Sequence, residues 1–225
     1  MTTLLLFLAC FLDQQPQPQI IHVCNLHFVD ATDFAKDLID QDGTLTDEQI
    51  EKEYEKHHND VEAFQEKQLK VLRELVRKTG ATSVFHEGMT PDDVKPFVEL
   101  AKQLKQYKPS PVDDGLSAFL DDLHRRDTLL LGNAARLLNS GEIKQVVAIE
   151  DSELLEADNP LKTGTFAIDE DARKKREDHM VQMMLKSGET VMILLCGKDH
   201  EFTDNIPAGV SYRRIEIPTT APDAP

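Results

Sequence analysis

The stretch Thr190-Val191-Met192-Ile193-Leu194-Leu195-Cys196-Gly197-Lys198-Asp199-His200 decides the fold. Its apolar run does not alternate with polar residues, as a strand with one wet face would, and it stops at a glycine. A continuous run of that length reads as a strand buried on both faces. Three similar runs precede it: Gln19–Cys24, Ala81–His86 after Gly80, and Ile143–Ile149 after Gly141. Segments of helical periodicity separate them, which predicts an α/β fold with a mostly parallel sheet covered by helices. A fifth run, Val210–Ile217, alternates and is expected at an edge.

The intervening helices announce their ends. Thr46 with Gln49 forms a capping-box start, and Ile50, Tyr54, Val61, Phe64, Leu72 and Leu75 keep one face apolar up to Gly80. His57-His58-Asn59-Asp60 is the place where this helix is expected to break. Thr90 and Pro91 open a second helix, faced by Val94, Phe97, Val98, Ala101 and Leu104, which Lys108-Pro109-Ser110-Pro111 ends. Leu116–Arg125, Thr128–Leu138 and Asp169–Leu185 complete the set, the last stopping at Gly188.

Bulk properties narrow the function. The chain has 225 residues, 40% hydrophobic and 29% charged, enough for one real core spanning residues 20–217. Acidic residues outnumber basic ones by 41 to 25, a net charge of −16 that repels phosphate backbones and argues against nucleic acid as a partner. A small molecule or peptide is the expected substrate. Three cysteines, Cys10, Cys24 and Cys196, lie too far apart for a disulfide scaffold or a cysteine zinc cage. A Cys24–Cys196 bridge and a pair of inert core thiols both remain open, and the apolar runs that hold them favour the thiols. Residues 1–19 combine a signal-like apolar segment, Leu4–Leu12, with the spacer Gln14-Gln15-Pro16-Gln17-Pro18-Gln19. No Lys or Arg precedes the run, so a truncated export signal and an incidental apolar start are both compatible with it. Leu4–Leu12 is too short to span a bilayer, and no other stretch is a transmembrane candidate. Residues 218–225 read as a disordered tail.

Asp40-Gln41-Asp42-Gly43-Thr44-Leu45-Thr46 imitates part of a calcium loop. With Gly43 as the loop glycine, the first and twelfth ligand positions fall on Leu38 and Gln49, where carboxylates are required. The segment therefore reads as a turn feeding a capped helix.

A second pattern is stronger. The first strand ends Cys24-Asn25-Leu26-His27 and the last ends Cys196-Gly197-Lys198-Asp199-His200, each placing a histidine three residues after a small one. Ligands of parallel α/β sheets bind beyond the carboxyl ends of the strands, so the two imidazoles are expected to converge there. Glu87, Glu150 and Asp151 follow the middle strands. Two imidazoles with one or two carboxylates make a recognised open shell for a catalytic divalent metal, here His27, His200 and Glu87. His86 should point away from Glu87 and pack into the sheet, as should mid-strand His22. His57, His58, His124 and His179 are expected to be solvated on helices. In Arg173-Lys174-Lys175-Arg176-Glu177-Asp178-His179-Met180, a solvated charged face is the simplest account. Arg176, however, stands four and seven residues before Met180 and Met183, which would aim it at the strand ends to hold substrate or an oxyanion.

From Ile20 to Ile217, the order of these segments resembles the superfamily that groups TraB and TIKI proteins, ChaN-like proteins and erythromycin esterases. Val84-Phe85-His86-Glu87-Gly88-Met89-Thr90 and Leu195-Cys196-Gly197-Lys198-Asp199-His200 carry the likeness, with an Arg-Glu-x-x-Met helix between them. The resemblance implies two loosely related halves with a cleft at the strand ends. It implies one of three activities: a metal-dependent protease, a hydrolase in which histidine activates water, or haem binding without turnover. His27 and His200 match its histidines, Glu87 its glutamate and Arg176 its arginine. In the haem reading His27 and His200 would be axial ligands. The first motif departs from the pattern, since Cys24 stands where glycine is expected. There it would crowd the turn beneath His27, place a thiolate near a metal, or mark a catalytically silent relative kept for protein interaction. Hydrolysis of a small ester or peptide bond, assisted by metal or by histidine, is the leading expectation, with Glu87 accepting a proton or ligating the metal.

Overall fold

The computed structural model describes residues 17–109, 115–158 and 169–218. Residues 1–16, most of the expected tail and Ser110-Pro111 lie outside the described residues. Five strands form one sheet: β1 Gln19–Asn25, β2 Ser83–His86, β3 Gln145–Ala148, β4 Val191–Gly197 and β5 Ser211–Ile215. Their order is β3-β2-β4-β1-β5 and every pairing is parallel. All five expected strands are present, with the alternating one at an edge.

Six helices occur among the described residues: α1 Ala31–Gln41, α2 Asp47–Thr79, α3 Val94–Gln106, α4 Gly115–Ser140, α5 Ser152–Ala157 and α6 Glu170–Lys186. Side chains alternate across the sheet, so each strand supplies two cores. On one face Ile21, Val23, Val84, Val146, Ile193 and Leu195 meet Leu72 and Leu75 of α2, Phe97 and Ala101 of α3 and Leu137 of α4. On the other, Ile20, Phe85, Met192, Leu194 and Cys196 meet Met180, Val181 and Met184 of α6 together with Phe202. Each fully buried large side chain contributes about 1.5–3 kcal/mol relative to exposure. No helix among the described residues is long and apolar enough to cross a membrane.

Three expectations are corrected. The helix α2 does not break at His57–Asp60: it runs unbroken from its Thr46/Gln49 capping box to Gly80, whose φ of 69° ends it. His57 stacks on Phe34 with centroids 4.8 Å apart, and buried His58 meets Phe28 edge-on, so the local turn is held by packing. Two expected helices merge into α4, bent at Gly132 (φ 61°, ψ −159°) instead of at Arg126-Asp127. None of His57, His58, His124 and His179 is fully exposed; His124 stacks on Tyr107 at 4.5 Å.

Two helices had not been anticipated. Asp30 caps α1 by accepting from the backbone N–H of Thr32 and Asp33, and Asp151 caps α5 in the same way from Glu153 and Leu154. The imitation calcium loop is a turn: the Asp42 carboxylate accepts from the N–H and hydroxyl of Thr44 ahead of α2.

Candidate active site

The three central strands, β2, β4 and β1, are neighbours, and their carboxyl ends carry Glu87, His200 and His27. The Glu87 N–H donates to the Leu195 carbonyl at 3.0 Å, so pairing continues one residue past β2. Glu87 therefore faces the α6 side. His86 turns the other way, its ring 6.0 Å from that of Phe97, with burial lowering its pKa.

Glu87 is buried, and both its oxygens are engaged. Oε1 lies 2.9 Å from His200 Nε2 and 3.2 Å from an Arg176 nitrogen. Oε2 accepts from the Gly197 N–H at 2.5 Å and lies 3.4 Å from His27 Nε2. Burial alone would raise the pKa of this carboxyl, but its bonds to His200 and His27 outweigh that and hold it well below the ordinary value.

Behind it, α6 supplies the support. Arg176 donates to both Glu150 oxygens and to Asp158 (2.9 Å) as well as to Glu87. Glu150 in turn accepts from the Gly88 N–H at 3.0 Å, which ties the ends of β2 and β3 together. Arg176 does reach the strand ends, yet its guanidinium is buried and committed to three carboxylates. It positions Glu87 and has no face left for substrate or an oxyanion.

The two histidines are unlike. His200 is buried, with Nδ1 2.8 Å from Glu177 and Nε2 on Glu87. Burial lowers its pKa, but the two carboxylates raise it further, to about 9. At neutral pH it is an imidazolium donating from both nitrogens. The His27 side chain is 56% exposed, its Nε2 on Glu87 and its Nδ1 without a partner among the described residues. The bond to Glu87 raises its pKa against a smaller opposing effect of burial.

The turns that present them differ as well. Cys24 pairs in register with Cys196, and Asn25 with Gly197. His27 therefore follows its last strand residue by two positions and His200 by three, so the turns are not equivalent. A Cβ on Gly197 would stand 3.1 Å from His27 Nε2 and 3.4 Å from Glu87 Oε2, so a side chain there would press on both groups. Cys24 does not approach the carboxylate in this way. It is a buried free thiol whose pKa burial raises. Mid-strand His22 is likewise buried: Nε2 donates to the Cys196 carbonyl at 3.1 Å and Nδ1 accepts from the Tyr212 hydroxyl at 3.0 Å. Burial lowers its pKa, and it is a core residue.

Sequence reasoning brought His27, His200, Glu87 and Arg176 to one place but missed Glu177, Asp158, Cys196 and the Gly197 N–H. Glu177 had a signal: buried residues on α6 fall at 176, 177, 180, 181 and 184, so Arg-Glu opens the apolar stripe.

Among the described residues, Glu87, Cys196 and His200 bring donor atoms within 4.8 Å of one another, and His27 does not join them. Oxygen, sulfur and nitrogen suit zinc. Yet every nitrogen and oxygen of His200 and Glu87 already has a protein partner, and burial holds the Cys196 thiol well above its ordinary pKa. A cation would have to displace these bonds. Of His27 and His200, only His27 would offer a haem iron a nitrogen with no partner among the described residues. Comparison with protein-family models, curated proteins and solved structures finds no match.

Proposed function

We propose that the protein hydrolyses a small ester or peptide bond, with His27 as general base and Glu87 as the carboxylate that orients it. One observation carries this reading: a half-exposed imidazole, its outer nitrogen without a partner among the described residues, is held by a buried carboxylate with both oxygens engaged. That is the arrangement a base needs, with one nitrogen fixed and the other open to water. His27 Nδ1 takes a proton from water as the water oxygen bonds to the carbonyl carbon. The resulting imidazolium is stabilised by Glu87, and its proton passes to the leaving oxygen or nitrogen as the carbonyl–heteroatom bond breaks. Arg176, His200 and the Gly197 N–H keep Glu87 anionic and oriented.

Of the activities implied by the resemblance, histidine-activated water is the one this geometry supports. The same reading takes the β1 and β4 exits as related turns of two halves that have diverged, one toward chemistry and one toward support. The test is turnover of p-nitrophenyl acetate and a small peptide panel by the wild type and His27→Gln. A drop of about 10²–10⁴-fold in kcat with the fold intact supports the reading; equal turnover by both proteins overturns it.

A second reading is favoured by the Glu87, Cys196 and His200 donor set: a divalent cation that, when bound, would acidify water. Elemental analysis separates the two. Stoichiometric metal lost in Cys196→Ala selects the second; full activity in metal-free protein selects the first.

A further inference from the structure

Beside the His27–Glu87 pair lies a cavity of about 340 Å³, near the lower end of the range for small-molecule sites. Leu26 and Lys198, which line it, are the chain neighbours of His27 and Gly197, and a Cβ on Gly197 would stand 3.1 Å from His27 Nε2, so the dyad lies next to the cavity wall without itself lining it. Its apolar side is formed by Leu26, Phe64, Ile217, Pro218 and Cys24, and its polar side by Asn25, Lys198, Arg214 and Glu216, whose carboxylate is paired with Arg214.

The polar groups are not equally free. Arg214 donates to the carbonyls of His200 and Lys198 and faces Glu201 and Glu216 at 3.5 and 3.1 Å, so it fastens the β4 exit in place. Asn25 accepts from Gln68 through its side-chain oxygen, which leaves its NH2 to donate. The Lys198 ammonium has no carboxylate within ion-pairing distance among the described residues. In a chain of net charge −16, an ammonium that lines a half-apolar cavity and has no such partner offsets locally a field that repels anions.

Resting on the hydrolytic reading above, we infer that the substrates are small esters whose acyl part ends in a second, free carboxylate. Lys198 and the Asn25 amide hold that carboxylate, and the short acyl chain lies against Leu26, Phe64 and Ile217. The scissile carbonyl faces His27. Water adds across the acyl–oxygen bond, so the products are an alcohol and a short dicarboxylate, and no further reactant is needed.

The experiment compares p-nitrophenyl hemisuccinate with p-nitrophenyl acetate on wild-type protein and Lys198→Ala. It adds calorimetric titration of glutarate into wild type, His27→Ala and Lys198→Glu. The wild type should prefer the carboxylated ester by about tenfold in kcat/KM, and the ratio should fall close to one in Lys198→Ala. Glutarate should bind wild type and His27→Ala and fail to bind Lys198→Glu. Equal kcat/KM for the two esters, or glutarate binding unaltered by Lys198→Glu, overturns the inference and leaves the dyad standing. If neither ester is cleaved and glutarate still depends on Lys198, the hydrolytic reading falls and the carboxylate site stands.

Discussion

The exits of β1 and β4 carry the same residue type, run side by side in register and touch the same carboxylate, yet they make opposite environments. After β4, the His200 N–H folds back toward the Gly197 carbonyl at 3.4 Å, and the ring tucks under α6 onto Glu177. After β1, the chain leaves for Asp30 and α1, and among the described residues the His27 side chain stays 56% exposed. A histidine's role is thus set by what its second nitrogen meets. A second carboxylate makes His200 a fixed cation; open water leaves His27 free to exchange protons.

Glu87→Gln should do the most damage because it acts on both exits at once. The amide loses the charge that balances Arg176 and His200, and one of its ends must present N–H groups to donors. Breaking a buried ion pair from one side costs about 3–5 kcal/mol, and loss of the oriented carboxylate lowers turnover by about 10²–10⁴-fold. Urea unfolding and ester kinetics on the same preparation measure both. A variant stable to within about 0.5 kcal/mol of wild type would show that the network is not a unit.

Replacing the histidines one at a time sharpens the contrast. His200→Gln should destabilise by about 3–5 kcal/mol, because Glu87 and Glu177 lose their shared cation. His27→Gln should shift stability by no more than about 0.5 kcal/mol, the usual range for an exposed position. The pH profile separates them too. An unfolded histidine titrates near 6.5 and His200 near 9, so the folded state binds that proton more tightly. The stability this contributes is fully present below pH 6.5 and is lost as pH rises through about 9. Glu87 has the opposite sign: its lowered pKa gives stability present above about 4.5 and lost in acid. Urea midpoints should fall between pH 6.5 and 9 in wild type and in His27→Gln, and much less in His200→Gln, where only the contribution of His27 is left. Parallel curves for all three proteins would contradict the assignment.

Much of this was legible in the sequence. Continuous apolar runs showed four parallel strands because burial on both faces leaves no room for alternation, and the meeting of His27, Glu87 and His200 at the strand ends follows from the topology. What sequence could not show was the asymmetry, since counting three residues from Cys24 and from Gly197 made the turns look equivalent. Pairing puts Cys24 opposite Cys196, a shift of one position that depends on where each chain leaves the sheet. Charge patterning also hid one residue: the run from Arg173 to Asp178 reads as solvated apart from Arg176, whereas Glu177 beside it is buried on His200. Helices α1 and α5 escaped because neither buries a residue fully; aspartate caps hold their first turns.

Gly197→Ala tests the comparison with the smallest change. Nothing in the backbone at this position demands glycine, so its importance lies in the space a Cβ would fill. That carbon would stand 3.1 Å from His27 Nε2, tighter than most real contacts, and 3.4 Å from Glu87 Oε2. Glu87 is held by Arg176, His200 and the Gly197 N–H, whereas His27 is free on its outer side, so the imidazole is the group that gives. A displacement of a few tenths of an ångström lengthens a 3.4 Å contact that is already long. If misplacement by 1 Å costs about 10²-fold, a shift of this size should lower kcat by roughly 3–10-fold. Stability should stay within about 1 kcal/mol, and the pH step assigned to His200 should be unaltered. A larger loss of stability than of activity would mean that His27 is held more firmly than its exposure suggests, and that the two exits differ less than their surroundings.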